Sequence, residues 1–213
     1  MTSSTRAITT LLFDWDGTLV DSAHLGFVAF QKTFAELGVE FEKDIYDTTY
    51  SPNWYSMYEA LGLPREKWQL ADDLWIQHYG EETARLVEGA KGTILDLQQK
   101  GYRLGIVSSG SDFRVGRELD ESGLRAAFKS IVCNEQIVNK KPHPEGLEKA
   151  LRMLNSMSAE SCYVGDTPED ILMGKNAKVL TVGVRSKYPS SRRLLSAQPD
   201  IYLESLVELS HHF

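Results

Sequence analysis

Short apolar runs alternate with longer amphipathic stretches along most of this chain. The first run covers residues 8–13 and ends in three consecutive apolar residues, which is typical of a strand covered on both faces. The later pattern predicts strands at 102–107, 129–133, 161–164, 179–184 and about 200–203. It predicts helices at 94–100, 112–122, 144–155 and from 168 to about 177. Strands that alternate with helices indicate a parallel sheet, so we predict an α/β fold with a doubly wound, Rossmann-like core.

The segment from about residue 22 to 88 has a different pattern, with helical spacing and no strand signal. A helix is predicted to begin near Ser22 and to stop at Gly38. Its apolar residues recur three or four positions apart, at Phe27, Phe30, Phe34 and Leu37. Further helices are predicted at 54–61 and 65–79. We therefore predict two parts: an α/β core made of residues 1–20 and 90–213, and an all-helical insert at 21–89.

Composition narrows the class of protein. The chain has 213 residues, 42% of them hydrophobic, and a net charge of −7 without a Lys/Arg-rich block, which argues against nucleic acid or an anionic membrane as partner. No apolar run approaches the ~18 residues of a membrane helix. Cys133 and Cys162 fall in predicted strands without C-x-x-C spacing, as expected of reduced core cysteines. We expect a cytoplasmic protein, as a monomer or homodimer.

Polar side chains follow four of the predicted strands. In an open α/β sheet, ligands bind beyond the carboxyl ends of the strands, so these residues are the candidates for chemistry. They are Asp14 and Asp16 after the first strand, Ser108 after the second, Lys141 after the third, and Asp166 and Asp170 after the fourth. Four crowded carboxylates without clustered His or Cys favour a bound Mg²⁺. Mg²⁺ and Lys141 can in turn offset the charge of a phosphate, and Ser108 can donate to its oxygens.

Four motifs in the right order resemble those of the haloacid dehalogenase superfamily. They are DWDGTLVDS at 14–22, IVS at 106–108, KPHP at 141–144 and GDTPED at 165–170. The resemblance extends from the first strand to about residue 184. One such motif would be only suggestive, but four in order, each after a predicted strand, make a specific signal.

The resemblance implies a role for each matching acid and for the lysine. Asp14 attacks phosphorus, forms an aspartyl-phosphate and binds Mg²⁺ through its other oxygen. Asp16 acts as general acid and then as general base, and its backbone carbonyl also binds Mg²⁺. Lys141 holds the phosphate and orients Asp14. Asp166 binds Mg²⁺ directly, and Asp170 binds it directly or through water.

Other residues in these motifs are implied to hold the phosphate or shape the loop. Ser108 is favoured over Ser109 for the phosphate contact because it directly follows the apolar strand. Thr18 supports the first loop, and Gly17 permits close backbone approach. Lys140 competes with Lys141, but Lys141 precedes the proline as the family pattern requires.

The helical insert resembles the small cap found between the first and second motifs of this superfamily. Such caps can close over the site and contact the leaving group, with hinges predicted here at 17–21 and 89–92. Four aromatic residues of the insert are candidates for lining a substrate pocket: Tyr50, Trp54, Tyr55 and Tyr58. For Trp54 and Tyr58, the helical spacing favours core packing instead. His24 either faces the site or lies at the surface.

Asp16 discriminates between the reactions of the superfamily. Haloacid dehalogenases and phosphonoacetaldehyde hydrolases lack an acid at this position, so Asp16 argues for transfer from a phosphate ester or anhydride. The chain most resembles phosphoglycolate-phosphatase-like enzymes, and we expect a Mg²⁺-dependent phosphatase acting on a small phosphorylated metabolite. Two alternatives stay open: a sugar-phosphate mutase of the β-phosphoglucomutase type, and a non-catalytic phosphate- or partner-binding module. The intact set of acids argues against the second.

Overall fold

The computed structural model describes residues 7–80 and 82–213. In chain order, its strands and α-helices are β1 (Thr10–Phe13), β2 (Val20–Asp21), α1 (Ala23–Glu36), α2 (Lys43–Thr49), α3 (Trp54–Ala60), α4 (Trp68–Tyr79), β3 (Arg85–Leu86), α5 (Ala90–Gln99), β4 (Arg103–Val107), α6 (Asp112–Ser122), β5 (Phe128–Val132), α7 (Glu145–Met153), β6 (Ser161–Gly165), α8 (Pro168–Asn176), β7 (Leu180–Val184) and β8 (Ile201–Leu203). Short 3-10 helices lie at Arg65–Lys67, Arg125–Ala127, Asn134–Gln136, Ser158–Glu160, Pro189–Ala197 and Leu206–His211.

The core is a parallel sheet, as the alternation of strands and helices predicts. Within the described residues it has six strands in the order β5-β4-β1-β6-β7-β8, and every neighbouring pair is parallel. Strand β1 lies between β4 and β6, with Phe13 paired to Ile106 on one side and Val164 on the other. The carboxyl ends of these three strands therefore meet at one edge of the sheet, where their loops carry the predicted site residues.

Helices cover both faces of the sheet, which makes the core doubly wound. Leu11 and Phe13 of β1 pack in one apolar cluster with residues of α5 and α6. Leu12 points to the opposite face and packs in a second cluster with residues of α7 and α8. Because successive side chains of a strand point to opposite faces, the unbroken apolar run in β1 is what a strand covered on both sides requires.

Helices α1–α4, which we call the cap helices, form an apolar cluster of their own. Its buried residues include Phe30, Phe34, Tyr58 and Trp75, and the cluster also receives Tyr188 from the core part of the chain. The prediction of a strand-free insert is wrong at one place, because β2 and β3 form a two-stranded antiparallel ribbon. Each strand has only two residues, which is too short for a sequence period to appear. The domain boundaries at 20/21 and 89/90 stay a prediction.

The start of α5 also differs from the prediction. The helix begins at Ala90 rather than at residue 94, directly after Gly89, whose φ of +75° lies in the left-handed region. Lys91 and Gly92 in its first turn are exposed, so they give no apolar period from which the start could be predicted. Cys133 and Cys162 are buried and free, as expected. In the described part of the chain, no helix combines the length and apolarity needed to cross a membrane.

Candidate active site

Three buried carboxylates meet at the carboxyl end of the central strands. Asp14 directly follows β1, and its backbone N–H donates to the carbonyl of Val164 at 2.9 Å. Asp166 follows β6, and Asp170 lies in the first turn of α8. One carboxylate oxygen from each lies within 4.8 Å of the others. The structure thus brings together three of the four acids that the sequence places at strand ends.

Asp170 is fixed by the start of its own helix. The hydroxyl of Thr167 accepts the backbone N–H of Asp170, while the backbone N–H and hydroxyl of Thr167 donate to Asp170 Oδ2 at 3.0 and 2.6 Å. This capping box satisfies donors at the helix start and leaves Oδ1 facing the site. A Cβ on Gly165 would lie 2.4 Å from Cβ of Asp170, so only glycine fits beside it.

Lys141 bridges two of the three acids. Its Nζ donates to Asp14 Oδ1 at 2.5 Å and to Asp170 Oδ1 at 2.7 Å, and the side chain is buried. Lys141 thus contacts Asp14 directly, and its role in orienting Asp14 stays a prediction. Lys140 instead donates to backbone carbonyls of residues 134 and 137, and it is partly buried rather than at the surface.

The charge balance of this cluster favours a cation. Burial raises the pKa of Asp14 to about 7, although Lys141 opposes the shift. Burial, together with the neighbouring charges of Asp14 and Asp170, also raises the pKa of Asp166 well above its usual range. One ammonium therefore does not offset the negative charge of three buried carboxylates. An oxygen-rich, acidic cluster of this kind fits a hard divalent cation such as Mg²⁺.

The loop between β1 and β2 packs closely against Asp166. Gly17 has a φ of +81°, and a Cβ there would lie 2.4 Å from Asp166 Oδ2. The hydroxyl of Thr18 donates to Asp166 Oδ1 at 3.3 Å. Gly17 and Thr18 therefore both lie against Asp166, and their supporting roles stay a prediction. Sequence analysis missed Ser186, whose hydroxyl donates to Asp166 Oδ2 at 2.5 Å from the loop after β7.

Asp16 has different partners from the other acids. Both of its oxygens are bound by the guanidinium of Arg114, at 3.0 and 2.5 Å, and the hydroxyl of Ser22 donates to Oδ1 at 2.6 Å. Burial alone would raise the pKa of Asp16, but Arg114 and Ser22 outweigh it and the pKa is lowered. Ser22 lies at the predicted start of α1, where it is the N-cap residue, but its side chain makes no cap hydrogen bond.

Arg114 is itself held by a buried carboxylate. Glu118, one turn further along α6, accepts from Arg114 Nη1 at 3.1 Å. It also accepts from the indole N–H of Trp15 at 2.6 Å and the hydroxyl of Tyr79 at 3.0 Å. Sequence analysis missed Arg114, Glu118 and Tyr79. A helical arginine–glutamate pair four residues apart usually indicates an exposed face, so the pattern gave no signal of burial.

The two candidate phosphate-binding serines differ in their surroundings. Ser108 is buried, and its hydroxyl accepts the backbone N–H of Gly110 at 2.9 Å. Ser109 is half-buried and lines the cavity beside Asp14. Which of the two contacts phosphate stays a prediction.

Two cavities lie side by side at this end of the sheet. The one that we call the catalytic cavity has a volume of about 40 Å³ and is lined by residues that include Asp14, Asp16, Arg114 and Lys141. The adjacent cavity has a volume of about 250 Å³. Residues shared by both walls are Pro52, Trp54, Trp75 and Ser109. Cap helices and core loops therefore enclose the catalytic cavity together.

The aromatic candidates of the insert divide between the cavities and the apolar cluster. Tyr50 lines the catalytic cavity, and Tyr55 lines the adjacent one. Tyr58 is fully buried, as its spacing predicts. Trp54 packs on Phe30 and Trp75 and also lines both cavities, so it occupies both of the positions weighed for it. His24 is exposed.

The parallel sheet and this acidic, lysine-containing site define a hydrolase that acts on phosphoryl groups. The chain belongs to the haloacid dehalogenase-like hydrolase family, whose family model matches residues 11–184. Its similarity in sequence to pyrophosphatases supports the assignment of a phosphatase-type hydrolase.

Two pyrophosphatases named PpaX illustrate the similarity in sequence. The chain is 32% identical over 209 residues to PpaX of Listeria monocytogenes serotype 4b, with 96% of each protein covered. It is 32% identical over 210 residues to PpaX of Bacillus pumilus, with 95% of this chain and 94% of that protein covered.

Solved structures show the same fold at lower identity. A predicted phosphoglycolate phosphatase of Haemophilus somnus is 19% identical with a TM-score of 0.85, covering 96% of this chain and 97% of that one. CbbY of Rhodobacter sphaeroides, in complex with phosphate, is 23% identical with a TM-score of 0.76, covering 95% and 96%.

Proposed function

We propose that this protein is a Mg²⁺-dependent phosphatase that hydrolyses a small phosphorylated metabolite through an aspartyl-phosphate on Asp14. The observation that carries the proposal is the position of Asp14. It lies at the end of the central strand, bound to Lys141 and within reach of Asp166 and Asp170. The substrate class is a phosphomonoester of the phosphoglycolate type or a phosphate anhydride, since pyrophosphatases are among the relatives.

The first step is transfer of the phosphoryl group to Asp14. A carboxylate oxygen of Asp14 forms a bond to phosphorus, the bond from phosphorus to the leaving oxygen breaks, and Asp16 gives that oxygen a proton. Lys141 fixes the orientation of Asp14 through Oδ1. Asp14 is 5% exposed, which limits the access of bulk water to the nucleophile.

The second step is hydrolysis of the aspartyl-phosphate. Water attacks phosphorus, Asp16 takes the proton from that water, and the bond between phosphorus and Asp14 breaks to restore the carboxylate. The bidentate contact with Arg114 lowers the pKa of Asp16. It therefore favours the carboxylate that accepts the proton in this step, and it makes the protonated form that acts in the first step a stronger acid.

The acids of the cluster would hold the metal. The carboxylates of Asp14, Asp166 and Asp170, with the backbone carbonyl of Asp16, are the proposed ligands. When bound, Mg²⁺ would neutralise negative charge on the transferring phosphoryl group. Lys141 supplies the remaining positive charge next to Asp14.

A phosphate-release assay tests the proposal. We expect hydrolysis of p-nitrophenyl phosphate and pyrophosphate that requires Mg²⁺ and falls on the order of a thousandfold or more in Asp14→Asn. Asp73→Asn, at an exposed position on α4, serves as the matched control and should keep full activity. Turnover that persists in EDTA, or in Asp14→Asn, would contradict the proposal. A wild-type enzyme without turnover would favour the non-catalytic alternative.

A further inference from the structure

Arg114 lies in the wall of the catalytic cavity and is 7% exposed. Its two terminal nitrogens hold the oxygens of Asp16, and Nη1 also donates to Glu118. Glu118 is fixed in turn by Trp15 and Tyr79. The guanidinium is therefore oriented from two sides, by Asp16 in the cavity wall and by Glu118, which does not line the cavity.

One edge of this guanidinium is unused. A guanidinium has five N–H groups, and these contacts use three of them. Among the residues that the structure describes, Nε has no hydrogen-bond partner although it is buried. The remaining N–H of Nη2 lies on the same edge as Nε–H. That edge is the fork with which arginine binds the paired oxygens of a phosphate or carboxylate.

A second unpaired donor lies close to the first. The indole N–H of Trp75 is buried and has no partner in the described part of the chain, and Trp75 lines the same cavity. The guanidinium carbon of Arg114 lies 5.9 Å from the centre of a Trp75 ring. Buried polar groups in folded proteins are nearly always paired, so two unpaired donors in one cavity wall indicate a place for a ligand with acceptor oxygens.

The position of Arg114 relative to Asp16 identifies which part of the ligand it meets. The leaving oxygen must lie within hydrogen-bond reach of Asp16 to receive a proton. Since Asp16 lies within 3.0 Å of the guanidinium, the leaving oxygen lies within roughly 6 Å of it. Gly110 packs closely against the guanidinium, because a Cβ there would lie 2.4 Å from Nη2, so any larger residue would displace Arg114. Arg114 thus lies on the leaving-group side, whereas Lys141 holds the nucleophile.

We propose that Arg114 determines substrate specificity by binding an oxyanion carried by the leaving group. The ligand class is a phosphoryl compound whose leaving group has its own phosphate or carboxylate, with the indole of Trp75 as an additional donor. This inference rests on the proposed function of the site. Glu118 is a positioning residue for this contact, because it fixes the guanidinium but does not itself line the catalytic cavity.

Binding of non-hydrolysable ligands tests the proposal independently of turnover. Calorimetry in the presence of Mg²⁺ would compare methylenediphosphonate and phosphonoacetate, which carry a second anionic group, with methylphosphonate, which does not. We expect the wild-type protein to prefer the first two. Arg114→Lys keeps a positive charge for Asp16 but loses the fork, and it should reduce that preference on the order of 10- to 100-fold.

Control variants make the result specific. Arg125→Lys, at an exposed arginine paired with Asp120, should keep the wild-type preference. Trp75→Phe keeps a ring but removes the N–H, and it should reduce the preference about three- to tenfold. If thermal melting shows that Arg114→Lys does not fold, the ligand preference of Trp75→Phe still tests whether these donors bind the leaving group.

The outcomes distinguish this proposal from the proposed function. A preference that is unchanged in both variants, or an equal loss of affinity for all three ligands, would overturn the role of Arg114. The comparison of methylenediphosphonate with phosphonoacetate separates a phosphate partner from a carboxylate partner. If Asp14→Asn keeps full phosphatase activity while the preference depends on Arg114, only the proposed mechanism fails.

Discussion

Replacing Glu118 with leucine should destabilise the fold strongly. Glu118 is 1% exposed and accepts hydrogen bonds from Trp15, Tyr79 and Arg114, which come from a site loop, a cap helix and its own helix. Leucine would leave all three donors buried without this acceptor. The contact to Arg114 is also an ion pair whose side chains are 8% and 1% exposed, so solvent screens it little.

The magnitude follows from these contacts. A hydrogen bond to a charged group contributes about 1.5–3 kcal/mol, and removal of one partner from a buried ion pair costs about 3–5 kcal/mol. The contributions are not additive, so we expect Glu118→Leu to lower the free energy of unfolding by about 4 kcal/mol. Glu118→Gln should cost about 1–2 kcal/mol, because its carbonyl can accept from Trp15 and Arg114 while Tyr79 reverses its role and accepts from the amide.

Urea denaturation followed by tryptophan fluorescence measures both variants. The expected result is a lower midpoint with an unchanged slope, which indicates a loss of stability rather than a change of the unfolded state. Asp120→Leu, on the same helix, is the matched control. Its partner is Arg125, both side chains are about half exposed, and it should cost less than about 1 kcal/mol. If Glu118→Leu costs no more than Asp120→Leu, the reasoning from buried donors is refuted.

Three further changes have defined outcomes. Mg²⁺ and protons should compete for Asp14, because burial raises its pKa to about 7 when no metal is bound. Calorimetry should therefore show weaker Mg²⁺ binding as the pH falls below about 7. A pH-independent affinity would contradict this. Phe34 is fully buried in the apolar cluster of the cap helices. Phe34→Ala should therefore lower the free energy of unfolding, measured by urea denaturation, by about 3–5 kcal/mol. A change below about 1 kcal/mol would show that the cluster is loosely packed. Burial raises the pKa of the Cys133 thiol to about 12 and also raises the pKa of Cys162. Neither thiol should therefore react with a thiol reagent near pH 8 until the protein is unfolded in urea. Rapid labelling of the native protein would contradict their burial.

The sequence predicts the part of the site that depends on strand ends. Asp14 and Asp166 follow apolar runs, and parallel strands place such residues at one edge of the sheet whatever the details of packing. Lys141 and Asp170 follow predicted strands too, and the motifs in which they stand distinguish them from neighbouring polar residues. Lys141 contacts Asp14 across a sequence separation of 127 positions, as the topology requires.

The contacts of Asp16 could not be predicted in the same way. Arg114 lies 98 residues away on the face of α6, and nothing in its helix indicates that it turns inward to a carboxylate. From the sequence, Ser22 is recognisable only as the start of a helix, but its hydroxyl donates a hydrogen bond to Asp16 instead of capping that helix. Both cases depend on how the cap helices and α6 pack together, and side-chain periodicity within one segment contains no such information.

The central claim is that Asp14 is the nucleophile. The most direct measurement is rapid acid quenching during turnover with Mg²⁺ and pyrophosphate or p-nitrophenyl phosphate, followed by mass spectrometry of the peptide that contains Asp14. The account predicts a mass increment of one phosphoryl group on Asp14 that disappears when the substrate is exhausted and is absent from Asp14→Asn. Steady turnover in which no residue is phosphorylated, or in which the phosphoryl group is on another residue, would contradict it.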